Sequence, residues 1–465
     1  MITIRVGEVY STIDAPANVM SVVHKVCRAR PSNFMYMPKY RAKVWDGYIT
    51  LMKGAHRVPT GLLGYIEEAM YNYGVVVKYE EEGIRRVDSY GAITESVLNG
   101  VHLRDYQYDA VSSLLSAERG IAKMATNAGK TVVFSALIHV LNNADAMVIV
   151  QTRELLYQTH DRMEEYLGRT VGLIGDSHVD YSDVCVATIQ TLMSLRKKLS
   201  KNSFRLLFAS NKILIVDECH HISDNKTFDV LMDIPGWYRY GMSGTPLRRG
   251  TLNDYKLISC TGPVVVEVGN DFLIKEEWSA KPIIFMHDYA DEYDTDDMWD
   301  ASYMDAYQEC IVDNDIRNSI VVDSAVEELP RGPVLVIVSR IEHGNTLLES
   351  LKSRCNSIFV HGSTDIGIRI AALKRIAKGE HIVVIATQIF DEGVDVPALD
   401  TIILACGGAS HKQLLQRIGR GLRKKVRNIL HVHDFLDSDN KHLLNHTERR
   451  YDVYEEEGFE VREYD

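Results

Sequence analysis

Three short stretches hold residue types whose order could carry phosphate chemistry, and the first is Thr126-Asn127-Ala128-Gly129-Lys130-Thr131. A loop ending in glycine lets backbone N–H groups approach phosphate oxygens, and a following helix N-terminus adds a favourable dipole. Lys130 would then reach the terminal phosphates of a nucleotide, and the Thr131 hydroxyl could ligand magnesium. Met124 stands where the pattern GxxxxGK(S/T) has its first glycine, so the loop alone is also compatible with an ordinary helix cap. The second stretch, Ile213-Leu214-Ile215-Val216-Asp217-Glu218-Cys219-His220, ends an apolar run in two adjacent carboxylates. Asp217 is suited to hold the magnesium, usually through water, and Glu218 to orient or deprotonate an attacking water. The third stretch is Gln416-Arg417-Ile418-Gly419-Arg420-Gly421-Leu422-Arg423. Arg420 and Arg423 fall one helical turn apart, and guanidinium groups so placed can stabilise the charge of phosphoryl transfer. An acidic pair opening a loop and a basic helix end are the plain alternatives; three such stretches in one chain favour a nucleotide site.

Such groups need elements to aim them. Residues 120–124 read as a buried strand and 132–141 as a helix, which puts the first stretch at a strand-to-helix turn. From residue 101 onward strands alternate with helices, the pattern of a parallel sheet covered on both faces. An amphipathic helix is expected through Leu115, with strands at 146–150, 183–187, 212–216 and 239–242. A second alternating region has strands at 333–338, 357–360, 381–386, 401–405 and 428–433, without a phosphate loop. Two such lobes, only one with a nucleotide loop, imply a cleft between them. Between the lobes the pattern breaks: residues 287–300 carry seven acids, read as a solvated segment rather than a metal site, and a long helix is expected over 303–328. His431-Val432-His433-Asp434 reads as a packed strand end rather than a metal site.

The first 60 residues hold nine Lys or Arg against three Asp or Glu, in a chain whose net charge is -12. Strands are expected at 2–6 and 9–13, then a helix over 16–29 with Asp14 as N-cap. Next comes a basic segment interleaved with aromatics, including Arg30, Phe34, Tyr36, Lys39, Arg41, Lys43 and Trp45. Cations neutralise phosphates while aromatic faces stack on bases, so the segment suits nucleic acid; a solvated basic face with its aromatics in the core is the alternative. Residues 80–100 read as a linker. The 46% hydrophobic and 25% charged fractions are those of a globular protein. The seven cysteines form no CxxC pair, which argues for free thiols in a reducing compartment and against a structural metal. Neither a signal peptide nor a membrane span is expected, so the cytoplasm is the expected location, the host's if the chain is phage-encoded.

These residues together resemble the superfamily-two helicases and translocases, over about 103–434. Arg104 and Gln107 resemble the adenine-reading Q motif, Thr126 to Thr131 motif I, and Asp217 to His220 a DExH-type motif II. Thr152-Arg153-Glu154-Leu155 is similar to motif Ia and Thr188-Ile189-Gln190-Thr191-Leu192 to motif Ib. Ser243-Gly244-Thr245-Pro246 is similar to motif III, which links hydrolysis to nucleic-acid binding. Ser339-Arg340, His361-Gly362, then Thr387 with Asp391-Glu392-Gly393-Val394-Asp395 fall where motifs IV to V belong, and Gln416 to Arg423 where motif VI does. The DExH form leans toward DNA-active branches related to XPB and RecG, and the segment from Phe34 to Ile66 resembles the small N-terminal domain of phage UvsW-type helicases.

The resemblance implies an α/β fold: two tandem RecA-like parallel-sheet lobes behind a small N-terminal α+β domain. The expected divisions are 1–95, 96–278, 279–445 and an acidic tail at 446–465. It implies ATP and Mg²⁺ as cofactors, with Gly393 and Asp395 joining the nucleotide site and Ser243 and Thr245 coupling it to nucleic acid. Arg153, Gln190, Thr191, Arg340, His361, Gly362 and Thr387, with Arg30, Lys39, Arg41, Lys43 and Trp45, become the expected nucleic-acid contacts. The implied enzyme remodels branched DNA by branch migration or fork reversal, moving 3′ to 5′, as a monomer and with replication or recombination proteins as partners. An RNA helicase, a translocase subunit of a nuclease complex and an ATP-gated clamp share the same two-lobe engine.

Overall fold

The computed structural model describes residues 2–142, 144–222, 224–247, 250–289, 298–387, 399–408, 414, 418–419 and 428–464. The chain forms two compact units, Met1–Ala125 with Gly129–Val268, and Thr126–Ala128 with Gly269–Asp465. Each is built on a predominantly parallel sheet.

The first unit opens with strands β1 (Ile2–Val6), β2 (Tyr10–Asp14), β3 (Arg28–Ala29), β4 (Ile49–Thr50), β5 (Arg57–Pro59) and β6 (Val77–Glu81). A four-stranded sheet runs β5-β2-β1-β6, and β3 and β4 make a separate antiparallel pair. The helix Ala17–Val26 starts after Pro16 without a side-chain cap, because Asp14 is held in β2 opposite Thr3; the expected Asp14 cap is not formed. This small domain is packed directly against the helix Leu252–Thr261 of the same unit. The backbone N–H of Leu252 donates to Arg30 O at 3.0 Å, and a Cβ on Gly61 would come 2.0 Å from Ile258 O. The expected linker belongs to the same packing: Arg85 pairs with Glu8 at 2.7 Å, and Arg86 with Glu118 at 2.7 Å.

The large sheet of this unit comprises β7 (Arg119–Met124), β8 (Ala146–Val150), β9 (Gly172–Gly175), β10 (His178–Asp180), β11 (Val184–Thr188), β12 (Ile213–Asp217), β13 (Tyr238–Ser243) and β14 (Val264–Val268). Their order is β10-β9-β11-β8-β12-β13-β7-β14, all parallel except the edge hairpin β9–β10. Asp176 and Ser177 turn that hairpin with φ of 48° and 69°, the left-handed region that tight hairpins require. Every residue of β8, β11, β12 and β13 is buried, as expected for central strands covered on both faces. Burying each Val, Ile or Leu contributes about 1.5–3 kcal/mol, so these strands form a rigid platform for the loops at their carboxyl ends.

The second unit has β15 (Lys281–His287), β16 (Val334–Ile337), β17 (Ser357–Val360), β18 (Val383–Ala386), β19 (Thr401–Ile403), β20 (Ile429–Phe435) and β21 (Glu460–Tyr464) in the order β17-β18-β16-β19-β20-β15-β21. All of the pairings are parallel. The single helix expected over 303–328 is broken. Tyr303–Tyr307 runs into a π turn at Gln308–Val312, and Asn314 then caps a new helix, Asp315–Glu328, through Arg317 N. The break turns Cys310, Ile311 and Val312 into a small core with Leu443. The expected tail at 446–465 is not separate: its described residues, 446–464, complete the helix Lys441–Glu456 and supply edge strand β21 against β15. Buried ion pairs hold that helix down, with Arg450 2.8 Å from Asp434 and the Tyr454 hydroxyl donating to the same carboxylate at 2.7 Å.

Candidate functional site

Five chemistry-bearing segments leave the carboxyl ends of neighbouring parallel strands in the large sheet of the first unit. These are the phosphate loop after β7, Arg153 after β8, Gln190 after β11, Asp217 at the end of β12 and Ser243 at the end of β13. Open parallel sheets place ligands at this edge.

Within the loop, Asn127 and Gly129 take φ of 79° and 81°, and the helix Lys130–Val140 begins at once. Gly129 could not be replaced cheaply: a Cβ there would lie 2.3 Å from Gln107 Nε2 as well as in a strained conformation. Gln107, buried in the helix Asp105–Ala117, accepts a hydrogen bond from Arg104 N through Oε1 at 3.0 Å. The Q-motif glutamine therefore rests against the loop while its carbonyl steadies the start of its own helix. Thr131 lies in the first turn of the loop's helix, half-buried.

Lys130 Nζ sits 2.9 Å from Glu218 Oε1. Burial works against the Lys130 charge, but Glu218 and Asp217 outweigh it and hold the ammonium above its ordinary range. Asp217 is pushed up to about 6, first by burial and then by the neighbouring Glu218 charge, with Lys130 opposing. Two carboxylates thus share one ammonium in a mostly buried setting, a donor set with charge to spare for a hard divalent cation. Glu218 takes φ of 48°, which turns it off the strand axis immediately after Asp217.

A chain of polar contacts leaves this pair. Glu218 Oε2 lies 3.3 Å from His220 Nδ1, the same nitrogen is 2.7 Å from Ser243 Oγ, and Ser243 Oγ accepts from Thr245 N at 3.2 Å. The two expected coupling residues are therefore connected to the acidic pair through His220. Sequence reasoning gave His220 no role of its own, although it is the final letter of the DExH pattern and that was the available signal.

The remaining expected residues fall into groups. Arg153 opens the helix Arg153–Leu167, is 68% exposed at its side chain and pairs with Asp176. Gln190 Nε2 donates to Gln151 O at 2.8 Å, and Thr191 Oγ1 accepts from Thr188 Oγ1 at 2.9 Å; since β8 and β11 are neighbours, these three share one rim. In the second unit Arg340, His361 and Thr387 follow the adjacent strands β16, β17 and β18, with Gly362 next to His361. Arg340 stacks its guanidinium 5.0 Å from the Tyr307 ring centre, and His361 N donates to Thr364 Oγ1 at 2.9 Å. Gly393, Asp395, Gln416, Arg420 and Arg423 lie outside the described residues, as does most of the acidic stretch, 290–297.

At the N-terminus the core alternative for the aromatics is not what the fold adopts. Tyr36 is 74% exposed, and Phe34, Tyr40, Trp45 and Tyr48 are only half-buried. Arg30 sits 4.6 Å from the Phe34 ring centre and 4.4 Å from that of Tyr48, which also receives Arg28 at 4.3 Å. Trp45 Nε1 donates to Tyr48 O at 2.8 Å, and Lys39, Arg41 and Lys43 are exposed alongside. The result is a surface of stacked guanidinium and aromatic planes.

Residues 100–248 match the family model described as type III restriction enzyme, res subunit, and residues 317–425 match the helicase conserved C-terminal domain. The chain belongs to the superfamily-two helicases. As such it is an enzyme driven by ATP hydrolysis, and its two parallel sheets are the RecA-like lobes of that family. It is 26% identical over 364 residues to DNA 3'-5' translocase XPB2 of Sulfurisphaera tokodaii, covering 71% of this chain and 80% of that protein. It is 24% identical over 434 residues to ATP-dependent DNA helicase uvsW of Enterobacteria phage T4, covering 87% of this chain and 84% of that one. Among solved structures, S. cerevisiae Dbp5 bound to RNA and ADP BeF3 shares the fold, with a TM-score of 0.55 at 17% identity over 78% of this chain and 90% of that one. Among the described residues no helix of this helicase is long and apolar enough to cross a membrane.

Proposed function

We propose that this helicase is an ATP- and Mg²⁺-dependent motor on DNA that remodels branched structures by branch migration or fork reversal. The observation that carries the reading is the Lys130–Glu218–Asp217 cluster and its chain of polar contacts through His220 to Ser243 and Thr245. The names of XPB2 and uvsW favour DNA over RNA and, for XPB2, 3′ to 5′ movement.

Lys130 neutralises Glu218 across 2.9 Å. When ATP binds, the ammonium exchanges the carboxylate for the terminal phosphates, where charge-assisted bonds are strong. Glu218 is then released to orient and deprotonate the attacking water. Thr131 and Asp217 would hold a magnesium ion, which would supply charge neutralisation at the phosphates. Arg104 and Gln107 bind the base, and Arg420 and Arg423, with Gln416, add cationic stabilisation of the transferring phosphoryl group, with Gly393 and Asp395 lining the nucleotide. His220 reports the change at Glu218 to Ser243 and Thr245. Arg153, Gln190 and Thr191, and Arg340, His361, Gly362 and Thr387, are the proposed contacts to DNA phosphates.

ATP hydrolysis should be measured with forked DNA, linear duplex and single-stranded RNA as separate stimulators. Strongest stimulation by the fork supports the reading. Equal or greater stimulation by RNA would make the chain an RNA helicase instead.

A further inference from the structure

Glu328, His431 and His433 bring a carboxylate oxygen and two imidazole nitrogens within 4.8 Å of one another. His431 and His433 are two apart on β20 and so face the same side of the sheet, whereas Asp434, the next residue of the strand, is committed to Arg450. Glu328 arrives at the last residue of the helix Asp315–Glu328. Its two oxygens are divided: Oε2 accepts from Thr401 Oγ1 at 2.9 Å and lies 3.1 Å from Arg331 Nε, while Oε1 faces the imidazoles. His431 Nδ1 is 2.8 Å from Oε1 and His433 Nε2 is 3.7 Å from it.

We propose that Glu328, His431 and His433 form a binding site for a divalent transition cation of the zinc type, with solvent as the fourth ligand. Tetrahedral zinc with bonds near 2.0 Å needs ligand atoms ~3.3 Å apart, and the two observed separations bracket that value. His433 is 1% exposed, and among the described residues its Nε2 has no hydrogen-bond partner, so a buried nitrogen 3.7 Å from the carboxylate is left to take a ligand. Its other nitrogen, Nδ1, is 2.8 Å from His287 Nε2, the outer contact that fixes the ring of a metal-binding histidine. Thr401 and Arg331 fix the carboxylate in the same way, leaving the oxygen that faces the imidazoles for the cation. Partial exposure of His431 and Glu328 gives the site a route from solvent. Two imidazoles and one carboxylate favour zinc, cobalt or nickel over magnesium or calcium. A bound cation would clip the end of the helix Asp315–Glu328 to β20.

The experiment is titration of the chelator-stripped full-length helicase with cobalt(II) and zinc(II) in the absence of nucleotide, beside Glu328→Gln and His431→Gln. The wild type should bind one equivalent that either substitution weakens by about 100-fold or more, with visible cobalt absorption of a four-coordinate centre. Zinc should raise the wild-type Tm and leave that of both variants unchanged. Cobalt and zinc binding identical in all three proteins would overturn the site. If a variant fails to fold, X-ray absorption of the zinc-loaded wild type decides: two imidazoles with oxygen support the site, and an all-oxygen shell refutes it.

Discussion

Lys130 and Glu218 are joined across 2.9 Å beyond the ends of two strands separated in the sheet only by β13, so the proposed catalytic carboxylate is held in an ion pair with the proposed phosphate-binding cation. Removing the ammonium should therefore cost twice, once at the phosphates and once at the acidic pair. Lys130→Ala is expected to lower ATP turnover by about 10²–10³-fold or more, the scale seen when one preorganised charge is removed, while DNA affinity measured by anisotropy stays close to wild type. Near-normal turnover would mean that the phosphates are bound elsewhere.

Ser243 is hydrogen-bonded between His220 Nδ1 and the backbone N–H of Thr245. Ser243→Ala should leave ATP hydrolysis within a few-fold of wild type and reduce strand displacement by roughly tenfold, the effect of one missing hydrogen bond of about 1–1.5 kcal/mol on a coupled step. Both activities would be measured on one fork substrate. Parallel loss of the two would place Ser243 in hydrolysis itself rather than in its transmission.

Exposure of Tyr36, Lys39, Arg41 and Lys43 makes the N-terminal platform separable from the motor. Replacing the three cations with alanine should weaken duplex binding and reduce the slope of log affinity against log salt by about 2.7, at roughly 0.9 for each phosphate no longer neutralised. Tyr36→Ala should weaken single-strand binding by about 1–3 kcal/mol if a base stacks there. An unchanged salt slope would show that the platform does not touch phosphates.

His343 is fully buried and hydrogen-bonded to Asn318 Oδ1 at 2.8 Å, and burial, with Arg317 nearby, lowers its pKa to about 3. The unfolded chain takes up a proton near pH 6.5 that the folded chain refuses, so this contribution is complete above that value and is lost as pH falls toward 3. The slope is about 1.4 kcal/mol per pH unit within the window. Denaturant unfolding between pH 7 and pH 5 should show a shallower loss for His343→Asn than for wild type. Superimposable pH dependences would mean that the buried imidazole protonates in place.

The central strands were legible because burial on both faces leaves continuous apolar runs: β8 and β17 fall at the residues expected from sequence, and β12 shifts by one. The phosphate loop and the acidic pair were legible for a related reason, since their chemistry forces residue types into a fixed local order. What was missed is tertiary in origin. β14, β15 and β21 carry Glu267, Pro282 or Arg462 among their apolar residues, and their pairing partners, not their periodicity, make them strands. The break before Asp315 depends on Asn314 capping a new helix, and the docking of the N-terminal sheet on Gly61 lying against the backbone of a helix nearly two hundred residues away. His431-Val432-His433 looked like a packed strand end because Glu328, the group that would make it a ligand set, is about a hundred residues distant.

The central claim, a DNA-branch motor fired from the Lys130–Glu218 site, is tested most directly by ATP-dependent dissociation of a movable four-way DNA junction, with Lys130→Ala and Glu218→Gln as controls. The account predicts two duplex products from the wild type with ATP and Mg²⁺, and an intact junction with either variant. An intact junction with the wild type, under conditions where it hydrolyses ATP on the same DNA, would contradict it.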